Sequence, residues 1–276
     1  MLSWEESVRE YRRTAPASAV LDNYYDLPPI TAAKRFLSSE EFAAVLQEIG
    51  FGNGRTIVDL GAGAGMSSFA LAESGWKVFS VEPDPSDEVG IGGIANLAAD
   101  CKGHITALKA FGESLPLSSG SVDALYARQT LHHSNDLQKL MAEAGRVIKP
   151  NGRFLACREH VVDDEGQLKE FLANHPLHSQ YGGEWAYSLS QYLQAAEQAG
   201  FVLIKRWGPE ESIVNYFPGN QKALDARWRE ICERTWGPIG KYLNWSTVFC
   251  LYAVRRSQEM HRPPGRLFSF LWQRRG

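Results

Sequence analysis

The fold is decided by residues 56–65, which read TIVDLGAGAG. The run TIVDL predicts a buried strand. The three glycines after it predict a tight turn at which the backbone can approach a ligand without Cβ atoms in the way. A helical pattern follows from Met66 to Ser74 and ends at Gly75. Strand, turn and helix together indicate a βαβ unit, the repeating element of a parallel sheet.

Apolar runs and helical patterns continue to alternate after this unit. Further strands are predicted at residues 77–81, 104–110, 121–127, 153–157 and 201–207, with TVFCLYAVRR (247–256) as the seventh. Helices are predicted after a Ser38/Glu41 capping box, after Asn135 as cap, and after a Ser188/Gln191 capping box. The chain is therefore predicted to be an α/β protein with a Rossmann-like, doubly wound sheet of seven strands.

Four regions are expected along the chain. Residues 1–50 form a helical N-terminal cap, and residues 51–160 form the cofactor-binding core. Residues 161–256 hold acceptor-recognition inserts with the last two strands, and residues 257–276 form a basic aromatic tail. Inserts after late strands of such a sheet roof the edge where ligands bind, so acceptor specificity is expected there.

Composition excludes several classes of protein. The 276 residues are 44% hydrophobic and 22% charged, with a net charge of −3, which is ordinary for a globular protein. No signal peptide or transmembrane stretch is recognised, and four well-separated cysteines suggest reduced thiols in a cytoplasmic protein. Six arginines against one acid from Arg255 onward leave an acidic body, which disfavours nucleic-acid binding. The oligomeric state is left open.

The glycine turn favours one cofactor over another. The spacing is G-x-G-x-G, and Met66 stands where the dinucleotide fingerprint would place its third glycine. Asp59, just before the turn, suits a cationic ligand and would repel a pyrophosphate. Glu82 directly after the second strand can accept hydrogen bonds from ribose hydroxyls, in NAD enzymes as in others. S-adenosylmethionine is therefore favoured, with an NAD-dependent oxidoreductase as the weaker reading.

A longer stretch carries a family resemblance. Residues 111–156 read FGESLPLSSGSVDALYARQTLHHSNDLQKLMAEAGRVIKPNGRFLA. With its E-x-L-P, L-H-H and R-V-I-K-P-N-G segments, this stretch resembles class I S-adenosylmethionine-dependent methyltransferases, in particular the small-molecule branch with the ubiquinone and menaquinone biosynthesis enzymes. The resemblance implies that the last strand of the sheet is reversed and that S-adenosylhomocysteine is the product.

The resemblance also implies which residues bind the cofactor. Asp59, Gly61, Gly63 and Gly65 would surround its methionine part, Glu82 its ribose, Phe111 and Gly112 its adenine, and Arg128 and Gln129 its sulfonium. Ala62, Pro83 and Glu113 are expected beside them. Relatives often carry an aspartate at the position of Phe111, so the adenine contact is expected to come from stacking and from the backbone of Gly112 and Glu113.

Acceptor and catalytic residues are expected at the ends of the fourth and fifth strands. His160 beside Glu159 is the favoured general base, since a carboxylate can raise the basicity of an imidazole. His132 is a second candidate, although His132 and His133 could equally be packing or capping residues. The remaining predicted acceptor-binding residues are Tyr24, Tyr25, His133, Arg158, His175, His178, Tyr181 and Trp185.

No metal is expected from the sequence. His160, His175, His178 and Glu184 could supply ligands, but H-x-x-H with Pro176 inside it is a poor ligand geometry. The segment RPPGRLFSFLWQRRG (262–276) could touch an anionic membrane surface, and packing of its aromatic residues on the parent domain is the preferred reading.

The leading hypothesis is methyl transfer to a hydroxyl of a small molecule or glycan-like acceptor. The alternative is a cofactor-binding regulatory or scaffold protein without catalysis.

Overall fold

A computed structural model describes residues 2–175 and 177–276 of the chain. Its centre is a seven-stranded sheet in the order β3-β2-β1-β4-β5-β7-β6. The strands are β1 (Thr56–Leu60), β2 (Lys77–Val81), β3 (His104–Leu108), β4 (Val122–Arg128), β5 (Ile148–Val161), β6 (Phe201–Trp207) and β7 (Arg266–Arg274). β7 runs antiparallel to both β5 and β6, and the other pairs are parallel. The predicted seven-stranded sheet with a reversed last strand is confirmed.

The helices precede and connect these strands. They are α1 (Trp4–Thr14), α2 (Ala17–Asp22), α3 (Pro29–Leu37), α4 (Glu40–Ile49), α5 (Met66–Glu73), α6 (Ile91–Asp100), α7 (Leu137–Val147), α8 (Glu165–Asn174), α9 (His178–Tyr181), α10 (Leu189–Gln198), α11 (Gln221–Trp236), α12 (Gly240–Leu243) and α13 (Thr247–Met260). Short 3₁₀ helices lie at Leu131–His133, Ile213–Asn215 and Gly237–Ile239.

Alternation along the strands divides the core between the two faces of the sheet. Successive strand side chains point to opposite faces, so Val58 packs in the cluster that contains α7 and α10, while Ile57 packs in the cluster that contains α4 and α5. Phe154 and Leu155 on β5 divide in the same way. Both faces are apolar because helices cover both of them, as parallel sheets require.

Helix boundaries follow the expected signals, with small shifts. The Ser188/Gln191 capping box forms as predicted. The cap of α4 is Ser39, one residue after the predicted Ser38, and the cap of α7 is Asp136, whose side chain accepts from the backbone N–H of Lys139, in place of Asn135. A serine or carboxylate oxygen satisfies a free N–H of the first turn at either position, so the predicted signal was right and its register was off by one.

The seventh strand was predicted in the wrong place. Residues 247–256 belong to α13, and the strand is β7, within the segment predicted as a tail. The buried residues of α13, Cys250, Ala253 and Val254, have helical spacing, while its β-branched and aromatic residues are largely exposed. Phe270 and Trp272 of β7 are buried, so the packing interpretation of this segment is right. Among the described residues, no helix has both the length and the apolar character needed to cross a bilayer.

Candidate active site

The glycine turn lies between β1 and α5, where each glycine has a different structural reason. Gly61, Gly63 and Gly65 all have positive φ angles of 64°, 53° and 90°. A Cβ on Gly61 would lie 2.4 Å from Thr130 Cγ2, because the turn packs against the loop that follows β4. Gly65 caps α5 and faces Ile94, whereas a Cβ on Gly63 would meet only the Val89 carbonyl oxygen, at 3.7 Å. Gly63 is thus the position at which bare backbone can meet a ligand.

Asp59 does not reach the crevice beside this turn. Its side chain is buried, and Oδ2 accepts hydrogen bonds from Ser67 Oγ at 2.7 Å and Ser68 Oγ at 2.6 Å. Burial raises the pKa of Asp59 to about 6, with the two serine bonds opposing the shift. The expected direct contacts of Asp59 and of Gly65 with the cofactor are therefore corrected: both support the turn from behind, and neither lines the cavity.

Glu82 occupies the position after β2 that the sequence indicated. Gly63 N donates to Glu82 Oε2 at 2.8 Å, and Asp84 N donates to Oε1 at 3.0 Å. Burial raises the pKa of this carboxyl. Each oxygen keeps a second lone pair, so Glu82 can accept from two vicinal hydroxyls while it remains fixed to the turn.

A single cavity of about 610 Å³ runs from the glycine turn across the carboxyl edge of the sheet. This volume is in the range of small-ligand sites. The predicted cofactor residues that line it are Gly61, Ala62, Gly63, Glu82, Pro83, Phe111, Gly112, Glu113, Arg128 and Gln129. The wall also carries Asp84 and Glu88, and its arginines Arg12 and Arg128 are paired with acids. An acidic wall fits a cationic sulfonium nucleoside and disfavours a pyrophosphate.

The end of β4 is held by a buried ion pair. Arg128 Nε donates to Glu41 Oε1 of α4 at 2.8 Å, with the two side chains 9% and 1% exposed. Arg128 Nη1 also donates to Gln129 Oε1 at 2.8 Å. Burial opposes the charge of Arg128, but the charge of Glu41 and its hydrogen bond outweigh burial and raise the pKa of Arg128. The N-terminal helices are thereby attached to the residues that line the middle of the cavity.

Glu159 serves as a support for the loop after β4, and its partner differs from the predicted one. The carboxylate accepts from Thr130 N and His132 N, both at 3.1 Å, and from His132 Nδ1 at 2.8 Å. It does not line the cavity. The predicted Glu159–His160 pair is therefore wrong, because this carboxylate faces His132. Burial lowers the pKa of His132 well below its usual value, so its imidazole is neutral.

His160 does line the cavity. Its Nδ1 lies 2.8 Å from the Gly265 carbonyl oxygen, to which it donates, and this leaves Nε2 as an acceptor. Burial lowers the pKa of His160 to about 3, with His132 adding to the shift. A neutral imidazole of this kind can orient a hydroxyl but is a weak base.

The insert after β5 brings more imidazoles to the same end of the cavity. His133, His175 and Tyr181 line it together with Glu184, which was not among the predicted acceptor-binding residues. The predicted residues Arg158, His178 and Trp185 do not line it. Arg158 donates to the Phe217 carbonyl instead, and Trp185 is 42% exposed. Pro176, on which the sequence argument against a metal relied, lies outside the described residues.

The N-terminal segment closes the cavity from above. Tyr24 and Tyr25 line it, as predicted, and Trp4 of α1 stands 5.3 Å from the Tyr181 ring, centroid to centroid. Arg12 of α1 forms a short ion pair with Glu88, in the loop between β2 and α6. Neither α1 residue was singled out from sequence, because nothing in an isolated amphipathic helix says which edge of the sheet it covers.

Thr130 and Glu184 line the cavity but were not among the residues predicted for the site. Thr130 packs against Gly61 and donates from Oγ1 to the Leu60 carbonyl at 3.1 Å. A hydroxyl residue directly after the Arg128-Gln129 pair was a usable signal. Glu184 is separated from His132 and His133 by about fifty residues, so only the fold brings them together.

Comparison with known proteins agrees with this geometry. Residues 58–156 match the methyltransferase domain family Methyltransf_11. The chain is 29% identical over 184 residues to the uncharacterised methyltransferase YcgJ of Bacillus subtilis, an alignment that covers 63% of this chain and 68% of the relative. Fold, acidic crevice and domain match together define a class I S-adenosylmethionine-dependent methyltransferase, with S-adenosylmethionine as its cofactor.

Two solved structures share the fold over nearly the whole chain. One is a candidate sarcosine dimethylglycine methyltransferase from Galdieria sulphuraria, with TM-score 0.60, 17% identity, and 98% of both chains covered. The other is geranyl diphosphate C-methyltransferase from Streptomyces coelicolor, solved with S-adenosylhomocysteine, with TM-score 0.59, 14% identity, and 95% and 83% covered. Four mycobacterial relatives are 35–36% identical to the chain, but the alignments span only 36–37% of their length.

Proposed function

We propose that the chain transfers the methyl group of S-adenosylmethionine to a hydroxyl of a small molecule or glycan-like acceptor. One observation supports this above others: the cavity that begins at Gly63 and Glu82 continues without a break to His132, His133 and His160. The core of residues 51–160 would hold the cofactor, and the N-terminal cap with the insert after β5 would select the acceptor.

The cofactor half of the cavity is the more defined. Glu82 would accept from the ribose hydroxyls, and the backbone of Gly61–Gly63 would contact the methionine part. Residues 111–113 would contact the adenine. When bound, S-adenosylmethionine supplies an electrophilic methyl group. The task of the chain is therefore to align an acceptor atom with that methyl group and to exclude water.

For a hydroxyl acceptor, the O–C bond forms as the S–C bond breaks, the bonding electron pair stays on sulfur, and one proton leaves the hydroxyl. His160 Nε2 is free to accept a hydrogen bond from that hydroxyl, because Nδ1 is bonded to the Gly265 carbonyl. His160 would thus orient the oxygen during methyl transfer, and the proton would leave to solvent when the cavity opens to release the products. Tyr24 and Tyr25, which close the cavity, would keep bulk water out.

A small amine is the second candidate acceptor. Trp4, Tyr25 and Tyr181 line the same cavity as the Glu184 carboxylate, and aromatic rings together with a carboxylate suit an ammonium group. The Galdieria protein is named for methylation of an amine. The histidine-rich wall favours the hydroxyl, because imidazoles that have donated Nδ1–H present acceptors to an O–H group.

The test measures release of S-adenosylhomocysteine from purified protein. One panel holds sugars and phenols with their O-methylated analogues, and a second panel holds amines. Turnover with a hydroxyl compound, lost when that hydroxyl is already methylated and lost in Glu82→Ala, is the expected result. Turnover with amines alone would replace the hydroxyl by the amine. Silence across both panels, with S-adenosylmethionine still bound in calorimetry, would favour a cofactor-binding protein without catalysis.

A further inference from the structure

The Glu184 carboxylate lies among imidazoles at the acceptor end of the cavity. Glu184 is 5% exposed. Its oxygens lie 3.8 Å from His132 Nε2, 3.9 Å from His133 Nε2 and 3.9 Å from His175 Nδ1, and no hydrogen-bond donor to it is found within residues 2–175 and 177–276. We infer that His132, His133 and Glu184 form a binding site for one divalent transition-metal ion of the Zn²⁺ type.

The distances suit an ion held by three protein ligands. One ligand atom from each of the three residues lies within 4.8 Å of the other two. Bonds of about 2.0–2.2 Å to Zn²⁺ place ligand atoms about 3.0–3.5 Å apart. Each imidazole–carboxylate pair would therefore need to close by about 0.5 Å around an ion, and the two imidazole nitrogens, which lie within 4.8 Å of each other, by at most about 1.8 Å.

The outer nitrogens of both imidazoles are already fixed for this role. His132 Nδ1 donates to Glu159 Oε2 at 2.8 Å, and His133 Nδ1 donates to the Gly183 carbonyl at 3.0 Å. Each Nε2 then carries a lone pair on the side of Glu184. Metal-bound histidines usually donate their other ring N–H to a carboxylate or a backbone carbonyl, and here one of each is present.

The surroundings give the site a counter-charge and an entrance. A buried carboxylate without a hydrogen-bond donor is energetically costly unless a cation lies near it. His175 Nδ1, which has no hydrogen-bond partner among the described atoms, stands beside the other oxygen of Glu184. The side chain of His133 is 39% exposed, so an ion can enter from solvent.

The ligand set selects the class of metal. Two imidazoles and one carboxylate suit Zn²⁺, Co²⁺, Ni²⁺ or Fe²⁺, whereas Mg²⁺ prefers oxygen ligands and retained water. Three protein ligands leave at least one coordination position open, and the residues face the cavity. If the proposed function holds, that position would receive the acceptor hydroxyl, whose proton is lost more easily beside a cation.

The test measures metal binding directly. The full chain is stripped with chelator and titrated with Zn²⁺ by calorimetry, and Co²⁺ is followed by its visible absorption. We expect about one ion per chain for the wild type, and at least a tenfold weaker affinity in Glu184→Gln and in His133→Ala. His104→Ala is the matched control, since it removes an exposed imidazole at the start of β3 and should leave the affinity unchanged. Circular dichroism shows that each variant is folded.

Three results would overturn the inference: binding no tighter than at an exposed histidine, an affinity that Glu184→Gln does not change, or an equal loss in His104→Ala. Binding of S-adenosylmethionine is measured on the same samples. If it is retained in Glu184→Gln while Zn²⁺ binding is lost, the metal site and the cofactor site are separate. Failure of Zn²⁺ to bind with S-adenosylmethionine still bound would sink the metal site and leave the proposed function standing.

Discussion

Glu159 accepts hydrogen bonds from both the backbone N–H and Nδ1 of His132, so one buried carboxylate sets the position and the tautomer of that histidine. The carboxylate comes from β5 and the histidine from the loop after β4. Glu159 is therefore a positioning residue for the histidine wall.

Glu159→Gln should weaken Zn²⁺ binding by about 10- to 100-fold, the usual effect of losing a carboxylate behind a metal-binding histidine. Calorimetry on the folded variant checks this. Glu113→Gln is the control, because Glu113 supports the same loop through Ser134 and Asn135 without touching His132. Equal affinities in Glu159→Gln and the wild type would show that the carboxylate only packs.

Glu41→Gln should destabilise the fold by about 3–5 kcal/mol, because Arg128 would be left as an uncompensated buried charge. Urea unfolding measures the change. Glu10→Gln, which breaks the exposed Arg13 pair, should leave the unfolding midpoint unchanged. Similar midpoints for the two variants would contradict the importance of the buried pair.

Gly61→Ala should cost about 2–4 kcal/mol of stability, since the new methyl group meets Thr130 and the backbone keeps a positive φ. Gly54→Ala isolates the backbone part, because Gly54 has φ +80° and nothing within 4 Å of the added Cβ. That control should lose only about 1 kcal/mol. If both variants unfold at the same urea concentration, the contact between the new methyl group and Thr130 does not reduce stability.

Asp59→Asn should change how stability depends on pH. With the folded pKa raised to about 6, the unfolded chain releases the Asp59 proton at lower pH than the folded chain, so the wild type loses stability as pH rises from about 4 to 6. The loss is on the order of 3 kcal/mol. Asn cannot ionise, so Asp59→Asn removes this pH-dependent loss. The unfolding free energy of the variant relative to the wild type should therefore rise from pH 4 to pH 6 in urea unfolding. Parallel pH profiles would contradict this, and exposed Asp100→Asn should follow the wild type.

Most strands of the sheet could be predicted because apolar residues recur at different spacings in strands and in helices. The glycine turn also marks the first connection from a strand to a helix. The seventh strand could not be predicted, since residues 247–256 are rich in β-formers but bury only one helical stripe. At these residues the packing of one helical face outweighs the intrinsic preference for strand. The signal for β7 was present in the alternation of Arg266–Arg274, where Phe268, Phe270 and Trp272 share one face.

Most residues predicted for the cofactor half line one cavity, because they follow strand ends in order along the chain. The contacts of the residues predicted for the acceptor half could not be predicted in the same way. Sequence adjacency suggested that Glu159 acts with His160, whereas the carboxylate is bonded to a histidine 27 positions earlier. Glu184 lies close to His132 and His133 because the insert after β5 folds back over the loop after β4. No local sequence pattern predicts that long-range contact.

The place of β7 between β5 and β6 affects biosynthesis. A nascent chain exposes β5 and β6 long before residues 266–274 leave the ribosome, and the two strands cannot pair directly because β7 separates them. Until β7 emerges, both keep an open edge that can attract other strands. Chaperone demand during translation should therefore be concentrated in the interval between the synthesis of Trp207 and that of Arg274.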